Sequence, residues 1–488
     1  MSELPKTVSA GERSAWGAPI AWLAVMVVVA GIASAPGLLI TPNHWDSCLF
    51  VWQGKRLLAG DLPYVSVWDQ KLPVLLWINA WAAASGHVYA ALYVIQSVAI
   101  GVGAWLIGLM SRRNLGPAAG VASGLAYVTL ASTTAMLGTG NLTEIYAAPF
   151  GILCLYAMIR LAEGSRLLWL WPVIGGLALG AATMLRPPAV LIAAALFPLV
   201  PAIRRARLSL WKIAAVWIGG YAMIPLTTVI WAASKGILGP MIRDCILHNV
   251  AYAAGTGVPE SANWRHVGRS LQNMAISTWV WHLAGLVGLF LVVLTADHGK
   301  SDTGERRVNL RGMAVVWLFA AFVSALPSLQ LYVHYYYLTL APLAFLSAWA
   351  WRELAVRLSK GPWQQRFGAL ALAIIAAAFV GVQIQWDYAD ARGNDKRKDM
   401  SWPRWNISWP HTADPAIRLA YLGGELRWTS WPDSDGPAIR DTHTRSSTRA
   451  CLAGCRDYAS GGTKWSVRPR SGWCATTDRI LCRATLPR

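Results

Sequence analysis

The sequence predicts an all-α polytopic membrane protein that ends in a small polar C-terminal domain. The chain of 488 residues is 55% hydrophobic and only 14% charged, with a mean hydropathy of +0.40. A soluble domain carries about 25% charged residues, so this composition is typical of a membrane protein. Apolar segments long enough to cross a bilayer recur along most of the chain, and short basic clusters separate them.

About eleven segments are predicted to span the membrane, since a spanning helix needs about 20 mostly apolar residues. They are roughly residues 17–38, 88–110, 116–136, 144–162, 167–185, 188–203, 209–233, 276–296, 312–327, 332–351 and 366–386. The first is interpreted as a retained anchor, because it is long and "ASAPGLLITP" is a weak signal-peptidase site. The chain therefore divides into a transmembrane domain, residues 1–386, and a C-terminal domain, residues 387–488.

The basic clusters indicate the orientation of these spans. If the N-terminus is cytoplasmic, all the clusters fall on the cytoplasmic side, as the positive-inside rule requires. They are "KTVSAGER" near the N-terminus and residues 111–114, 160–166, 204–207, 299–311 and 351–366. Topology thus accounts for the net charge of +19. No basic nucleic-acid-binding motif occurs in the sequence, so we predict no nucleic-acid partner.

Acidic residues are few in the segments that this orientation places outside. Those segments are the loops 39–87, 137–143, 234–275 and 328–331 and the tail after about residue 386. The acids that precede the tail are Asp46, Asp61, Asp69, Glu144, Asp244 and Glu260. None lies deep within a predicted span, where a proton-relay transporter would place ionisable groups. The pattern instead predicts chemistry at the outer membrane–water boundary.

The first outward loop combines an amphipathic helix with isolated charges. In "SCLFVWQGKRLLAG" the apolar residues recur at helical spacing, which predicts an interfacial helix that ends at Gly60. Asp46 lies at its start, either as a first-turn aspartate that complements the helix dipole or as a functional acid. Lys71 precedes a new apolar run, either as a snorkelling lysine or as a fixed cation for a lipid-linked phosphate.

Four more ionisable residues lie at predicted outer ends of spans or in an outward loop. Glu144 opens a span after the tight turn "GTGN", where it either complements the helix dipole or is functional. Arg186 lies at an outward end against the positive-inside trend, which suggests that it holds an anion. His248 belongs to "MIRDCILHNVAYA", a second predicted interfacial helix, and His334 lies among aromatic residues. A lone histidine is more often packed and hydrogen-bonded than a ligand.

The C-terminal domain contains four of the seven cysteines and many of the tryptophans. The cysteines are Cys451, Cys455, Cys474 and Cys482. In an extracytoplasmic segment they predict disulfides, and we favour the two local pairs. A zinc site is the alternative, although the spacings are not those of a zinc finger. The tryptophans either stack on carbohydrate or form the core of a small disulfide-linked domain.

The order of these features resembles the GT-C glycosyltransferases over roughly residues 15–350. An acid follows the first span, then come "LLAGDLPYVSVWDQKLPVL", a "TE" that opens a later span, and "HYYYLTLAPLAF". The protein O-mannosyltransferase-like branch, which includes bacterial aminoarabinose and galacturonic acid transferases, is the most similar. The resemblance implies a multi-pass protein of the bacterial inner membrane with interfacial helices in its first outward loop. It also implies transfer of a sugar, usually with inversion, from a polyprenyl-phosphate carrier to an extracytoplasmic glycan, lipid or protein acceptor.

Roles for individual residues follow from the same resemblance. The catalytic acid of the family's first loop falls on Asp46, and its second acid falls on Glu144. The lysine that contacts the donor phosphate falls on Lys71, and Arg186 would assist it. His248 loosely matches a histidine that helps some relatives to hold a metal.

This chain departs from the family's pattern beside the lysine. Relatives often have an acid directly before it, in a run like "EKPP", and some use that acid to bind a divalent metal. Here the preceding residue is Gln70, although Asp69 is adjacent and could substitute for the acid. A divalent metal therefore stays an open alternative, and no cofactor is predicted with certainty.

Two other classes of function were weighed against a glycosyltransferase. A transporter or flippase for a lipid-linked sugar would have internal repeats and paired broken helices, and neither is evident in the sequence. A non-catalytic membrane scaffold with a carbohydrate-binding tail would make the outward acids accidental. The replacement of Asp46 by Asn separates these classes, because it should inactivate an enzyme and leave a scaffold unaffected.

Overall fold

The computed structural model describes residues 10–39, 45–137, 140–165, 167–205, 209–255, 264–294, 308–326, 332–358, 374, 377–389, 417–422, 425–430 and 481–483. In these ranges the transmembrane domain is a bundle of apolar α-helices, which confirms the predicted fold class. The helices are α1 Ala10–Ser34, α2 Trp45–Leu58, α3 Pro73–Ala84, α4 Val88–Leu115, α5 Pro117–Ser132, α6 Thr134–Leu137, α7 Thr143–Ala162, α8 Leu170–Leu185, α9 Val200–Arg205, α10 Leu210–Ser234, α11 Leu238–Ile242, α12 His248–Gly255, α13 Trp264–Leu294, α14 Leu310–Val323 and α15 Tyr337–Leu358.

Short helical segments of other types connect some of these helices. The 3₁₀ segments are Ala35–Leu39, Pro187–Leu199 and Val333–Tyr336, and the segment Arg243–Leu247 is a π-helix. The second 3₁₀ segment replaces most of a predicted α-helical span. It begins with two prolines and contains Pro198, and proline supplies no backbone N–H to an α-helical hydrogen bond.

Within the residues that the structure describes, five segments are long and apolar enough to cross a membrane, so the chain is a multi-pass membrane protein. They are Ile20–Gly37, Val88–Leu115, Thr143–Ala162, Pro187–Arg204 and Leu210–Ser234. Helical segments also overlap five other predicted spans but are shorter or less apolar. The last predicted span, 366–386, lies only partly within the described residues. The number of eleven spans stays a prediction.

Glycines let the spanning helices pack closely, and α8 against α10 is the clearest case. A Cβ atom added at Gly176 would lie 2.1 Å from the carbonyl oxygen of Trp217. At Gly180 it would lie 2.6 Å from the carbonyl oxygen of Tyr221. Within a bilayer, helices associate through such close backbone contacts, because lipid tails are as apolar as the side chains.

The bundle has two chemically different ends. Arg113, at the end of α4, pairs with Glu163 at the end of α7 at an N–O distance of 2.9 Å. The opposite end of α7 carries Glu144, which pairs with Arg186 just after α8. We call this second end, formed by the start of α2, the start of α7 and the end of α8, the site end. The predicted cytoplasmic cluster "SRRN" therefore lies away from it.

The chain returns to the site end before it enters the tail. Asp387 lies in the helical range 377–389 and is 4% exposed. Its Oδ1 accepts hydrogen bonds from the Thr134 backbone N–H, at 3.2 Å, and from the Thr134 hydroxyl, at 3.0 Å. Thr134 begins α6, which directly precedes the turn that leads to Glu144. The tail therefore leaves the bundle beside the site end.

Three short strands are described in the tail. They are β1 Ile417–Leu422, β2 Glu425–Ser430 and β3 Leu481–Arg483, which form one antiparallel sheet in the order β1-β2-β3. β1 and β2 pair from Leu422–Glu425 to Ile417–Ser430. The predicted disulfides among Cys451, Cys455, Cys474 and Cys482 lie outside the residues whose side chains are described.

The other three cysteines differ in state. Cys48, on α2, is disulfide-bonded, whereas Cys154 and Cys245 are free thiols. Cys154 and Cys245 both lie in the buried interior. The partner of Cys48 therefore lies outside the part of the chain with described side chains.

Candidate functional site

The interfacial helix that the sequence predicts is α2, and it places Asp46 in its first turn. The helix ends where predicted, because Gly60 adopts a left-handed φ of 94° that a residue with a Cβ would rarely take. α2 packs tightly on α3: a Cβ at Gly54 would lie 2.5 Å from the carbonyl carbon of Asn79. Asp46 is thus held on a helix that is itself fixed to the bundle.

The loop between α2 and α3 is held in place by contacts to the backbone of Lys71. Its carbonyl oxygen accepts hydrogen bonds from the Tyr64 hydroxyl, at 2.8 Å, and from the Cys245 thiol, at 3.2 Å. Asn249 donates to the neighbouring carbonyl of Gln70 at 2.9 Å. Burial raises the pKa values of Tyr64 and Cys245 well above their usual ranges, so both stay protonated donors. The loop therefore fixes the backbone of Lys71 and leaves its side chain available.

Asp69 is a buried carboxylate beside that lysine. It is 3% exposed, and its Oδ1 accepts the Lys71 backbone N–H at 3.0 Å. Its Oδ2 has no hydrogen-bond partner among the described atoms. Burial raises the pKa of Asp69, and the positive charge of Lys71 opposes that rise only in part.

Glu144 and Arg186 form a buried ion pair at the site end. Glu144 is 2% exposed and Arg186 is 8% exposed. An Nη1–H of Arg186 donates to Oε1 of Glu144, and the Thr143 hydroxyl donates to Oε2 at 2.8 Å. The guanidinium also lies over the Tyr335 ring, 4.5 Å from its centroid. Its Nε has no partner within the described ranges, so Arg186 keeps a donor for an anionic ligand.

Two other predicted site residues, Asp46 and Lys71, lie within electrostatic range of this ion pair or of the aromatic ring that it contacts. Arg186, His334 and Lys71 all act electrostatically on Glu144. Asp46, Glu144 and Arg186 all act on Tyr335. The structure thus brings together Asp46, Lys71, Glu144 and Arg186, which come from three segments far apart in the sequence.

Asp46 and Lys71 differ from the other charged residues of the first outward loop. Arg56 pairs with Asp61, which neutralises both. No hydrogen bond or ion pair is found for the Asp46 carboxylate or the Lys71 ammonium among the described residues. A carboxylate and an ammonium without protein partners, beside a buried ion pair, can bind and deprotonate a substrate.

His248 lies beside the loop and not within this cluster of four residues. The edge of its ring contacts Trp68, with the two centroids 5.1 Å apart and the planes at 85°. Partial burial lowers its pKa, and the charge of Asp244 opposes that shift. Asp244 itself pairs with Arg243 at 2.7 Å. His248 is therefore a largely neutral, packed histidine at pH 7.

The described residues do not fit a metal centre. No three His, Cys, Asp or Glu side chains within them are arranged to hold a metal ion. The predicted ligands Asp69 and His248 would need a third protein ligand, and Gln70 stands where relatives often have an acid. We therefore derive no chemical step through a metal.

A buried network of side-chain amides connects the site helices, and it was not predicted from the sequence. Asn141 bonds to Asn79 on α3, and Gln96 on α4 and Tyr146 on α7 also contact it. The pattern "GTGN" predicts only that Asn141 belongs to a turn. The lone Asn79 in the apolar run "VLLWINAWAAA" is the signal that could have revealed the network, because a buried amide needs partners.

The solved structures that are similar to this chain include the following three. The ArnT structure from Cupriavidus metallidurans with bound undecaprenyl phosphate has a TM-score of 0.49, over 78% of this chain and 75% of that one. An oligosaccharyltransferase from Archaeoglobus fulgidus in the apo form has a TM-score of 0.41, over 77% and 56%. ArnT in the apo state has a TM-score of 0.31, over 70% and 79%. Each is 15% identical to this chain.

No family model matches the chain, and no curated protein matches it. At 15% identity the similarity of backbones transfers no activity to this chain. The function is therefore argued from the site residues.

Proposed function

We propose that the protein transfers a sugar from a polyprenyl-phosphate carrier to an acceptor hydroxyl on the extracytoplasmic face of a bacterial inner membrane. One observation carries the proposal. The Asp46 carboxylate and the Lys71 ammonium have no ion-pair partner among the described residues, and their charges act on the buried Glu144–Arg186 pair or on the Tyr335 ring beneath it, at the ends of membrane-spanning helices. The reaction needs a base for the acceptor hydroxyl and cations for the phosphate. Asp46 can supply the base, and Lys71 and Arg186 can supply the cations.

The acceptor half of the reaction is assigned to Asp46. Its carboxylate takes the proton of the acceptor hydroxyl as the oxygen attacks the anomeric carbon of the sugar. A well-placed general base contributes about 10²–10⁴-fold to the rate. Attack from the face opposite the phosphate inverts the anomeric configuration. Glu144, held by Arg186 and the Thr143 hydroxyl, orients the sugar or the acceptor.

The donor half is assigned to the two cations. As the bond between the anomeric carbon and the phosphate oxygen breaks, its electron pair stays on the phosphate. Lys71 neutralises the charge on the leaving polyprenyl phosphate, and the remaining N–H groups of Arg186 assist it. Lys71 lies in the loop before α3 and Arg186 lies just after α8, and both charges act on Glu144.

The position of the site suits a lipid-linked donor. Glu144 opens one membrane-spanning segment, and Arg186 directly precedes another. A prenyl chain can stay in the bilayer beside these segments while its phosphate reaches the helix ends. A transporter would instead place its binding site near the bilayer midplane, at paired broken helices.

The arrangement of charges supports an extracytoplasmic orientation of the site. Arg112, Arg113 and Arg160 lie at the ends of α4 and α7 away from the site end, and the positive-inside rule assigns such clusters to the cytoplasm. The tail leaves the bundle beside the site end, near Thr134. We therefore assign the site and the C-terminal domain, 387–488, to the same outer face.

The test is donor turnover in proteoliposomes. Purified protein is given a panel of polyprenyl-phosphate sugars with candidate glycan, lipid and protein hydroxyl acceptors, and free polyprenyl phosphate is measured. We expect at least one donor to be consumed, with one molecule of carrier released for each sugar transferred. A parallel reaction with chelator decides whether a divalent metal is needed. If the wild-type protein instead moves intact donor across the bilayer without releasing carrier, it is a flippase.

A further inference from the structure

The side chain of Asn141 uses its whole hydrogen-bonding capacity inside the protein. Its Nδ2 donates to Asn79 Oδ1 at 2.8 Å and to the Ser47 carbonyl oxygen at 3.4 Å. Its Oδ1 accepts from Asn79 Nδ2 at 3.3 Å and from the Tyr146 hydroxyl at 3.1 Å. An amide side chain offers two donors and two acceptor sites, and all four are satisfied here.

The backbone of Asn141 is also fixed in an unusual conformation. Its φ of 58° is left-handed, which few residues other than glycine adopt. Its N–H donates to Gln96 Oε1 at 3.2 Å. The preceding Gly140 has a φ of 78°, and a Cβ there would lie 2.2 Å from the same Gln96 oxygen. These backbone angles and the contacts to Gln96 fix the backbone of Asn141, and its side-chain amide is directed towards α2 and α3.

The partners of this amide lie next to the two acids of the site. Ser47 follows Asp46 on α2, and Asn141 precedes Glu144 by one short turn. Asn79 lies where α3 touches Gly54 of α2. The contacts of Asn141 therefore run from the start of α2, through α3, to the start of α7. Asn79 and Asn141 are both fully buried, at 0% and 3% exposed, where a polar network rigidifies the residues that it joins.

We infer that Asn141, with Asn79, is a positioning pair that fixes the start of α2 relative to the start of α7, and so fixes Asp46 relative to Glu144. This inference rests on the proposed function. Both amides are buried and bonded within the protein. Their effect is on alignment, because the base must meet the acceptor hydroxyl while Lys71 and Arg186 hold the phosphate. A displacement of about 1 Å at such a site can cost about 10²-fold in rate.

Hydrogen–deuterium exchange on the full-length protein in nanodiscs tests the structural part without any substrate. Asn141→Gly removes the side chain but tolerates the left-handed φ, and Asn79→Leu keeps the branched shape of the side chain while removing its polar atoms. Both variants should speed exchange in peptides that cover 45–58 by at least about tenfold. Thr129→Val is the control, because Thr129 is 1% exposed and its hydroxyl, among the described residues, bonds to Leu125 of its own helix.

Donor turnover tests the functional part. The same two variants should lower kcat by at least about tenfold, with KM for the lipid-linked donor within about threefold, because the phosphate-binding cations are untouched. Because the two residues share bonds, the double variant should be little slower than either single variant. Thr129→Val should keep the wild-type kcat. If Thr129→Val lowers kcat as much as these variants do, Asn79 and Asn141 have only a structural role.

The outcomes separate this inference from the proposed function. If exchange over α2 is unchanged in both variants, the pair does not hold the helix and the inference is wrong. If exchange rises but kcat per folded enzyme stays at the wild-type value, the pair is not a positioning device. If the wild-type protein consumes no donor, the proposed function fails, and the inference that the amides align these two acids for transfer fails with it, whatever the exchange data show.

Discussion

At the scale of single residues, Asp46 and Lys71 differ from their neighbours because neither has an ion-pair partner among the described side chains. Asp61 lies in the same loop but pairs with Arg56. Complementing the helix dipole would explain why an acid lies in the first turn of α2. It does not explain why a second acid, a buried arginine and a lysine lie near Asp46. The charges around Asp46 therefore favour the functional interpretation.

Lys71→Met should weaken binding of the lipid-linked donor by about tenfold to a hundredfold, because a charge-assisted hydrogen bond is worth about 1.5–3 kcal/mol. Donor affinity is measured directly by equilibrium binding of labelled polyprenyl phosphate. Lys235→Met is the matched control, because Lys235 is an exposed lysine just after α10. Equal loss of affinity in both variants would show that only the general surface charge matters.

Asp69→Asn should raise thermal stability near pH 7.5, and the gain should shrink towards pH 4. Burial raises the folded-state pKa of Asp69, so its stabilising contribution is complete below the unfolded value and is lost as the pH rises. The amide keeps an acceptor for the Lys71 backbone N–H and avoids the burial of a charge. Melting curves across this pH range are the measurement. A loss of stability that is the same at every pH would contradict the pKa argument.

At the scale of elements, the boundaries of a single helix could be predicted from the sequence, whereas contacts between helices could not. The boundaries of α2 followed from apolar periodicity and from Gly60, since both signals lie within the helix itself. The pairing of Glu144 with Arg186 could not be predicted, because 42 residues and the packing of α7 on α8 separate them. The sequence predicted that Arg186 binds an anion, but it did not show that Arg186 also pairs with the carboxylate of Glu144 within the protein.

The amide network was missed for a related physical reason. Asn79 lies in an apolar run; it bonds to Leu75 of its own helix and to Asn141, which lies far away in the sequence. Periodicity detects which face of a helix is buried, but it does not detect which buried polar groups meet. Only the fold brings Asn79 and Asn141 together across 62 residues.

Gly54→Ala should displace α2 from α3, because the new Cβ would lie 2.5 Å from a backbone carbon of Asn79. Overpacking of this kind costs about 1–3 kcal/mol, so the thermal midpoint and donor turnover should both fall. Gly219→Ala is the control, because no atom lies within 4 Å of the added Cβ there. If Gly54→Ala melts and turns over as Gly219→Ala does, the close contact of α2 with α3 does not position the site.

At the scale of the whole molecule, the two ends of the bundle carry different chemistry. One end gathers arginines that the positive-inside rule assigns to the cytoplasm. The other gathers the free acid, the free lysine and the entry to the tail. The spacing of the basic clusters in the sequence predicted this division. The number of spans was harder to predict, because several of the apolar helices are shorter than a full span.

The disulfide of Cys48 leads to a prediction about the tail. Because Cys154 and Cys245 are free, we expect non-reducing peptide mapping to join the Cys48 peptide to one of the four tail cysteines. The two local pairs favoured from the sequence could then not both form. Cys48→Ser should release that tail cysteine for alkylation, whereas Cys245→Ser should release none. Recovery of Cys48 as an alkylated free thiol in the wild-type protein would contradict this expectation.

The rate of carrier release by the Asp46→Asn variant tests the central claim most directly. With a donor that the wild type consumes, the variant should release polyprenyl phosphate about 10²–10⁴-fold more slowly and still bind donor, because Lys71 and Arg186 remain. Asp61→Asn, which changes a paired acid of the same loop, should stay within about twofold of the wild-type rate. Release by Asp46→Asn at the wild-type rate would contradict the assignment of Asp46 as the base.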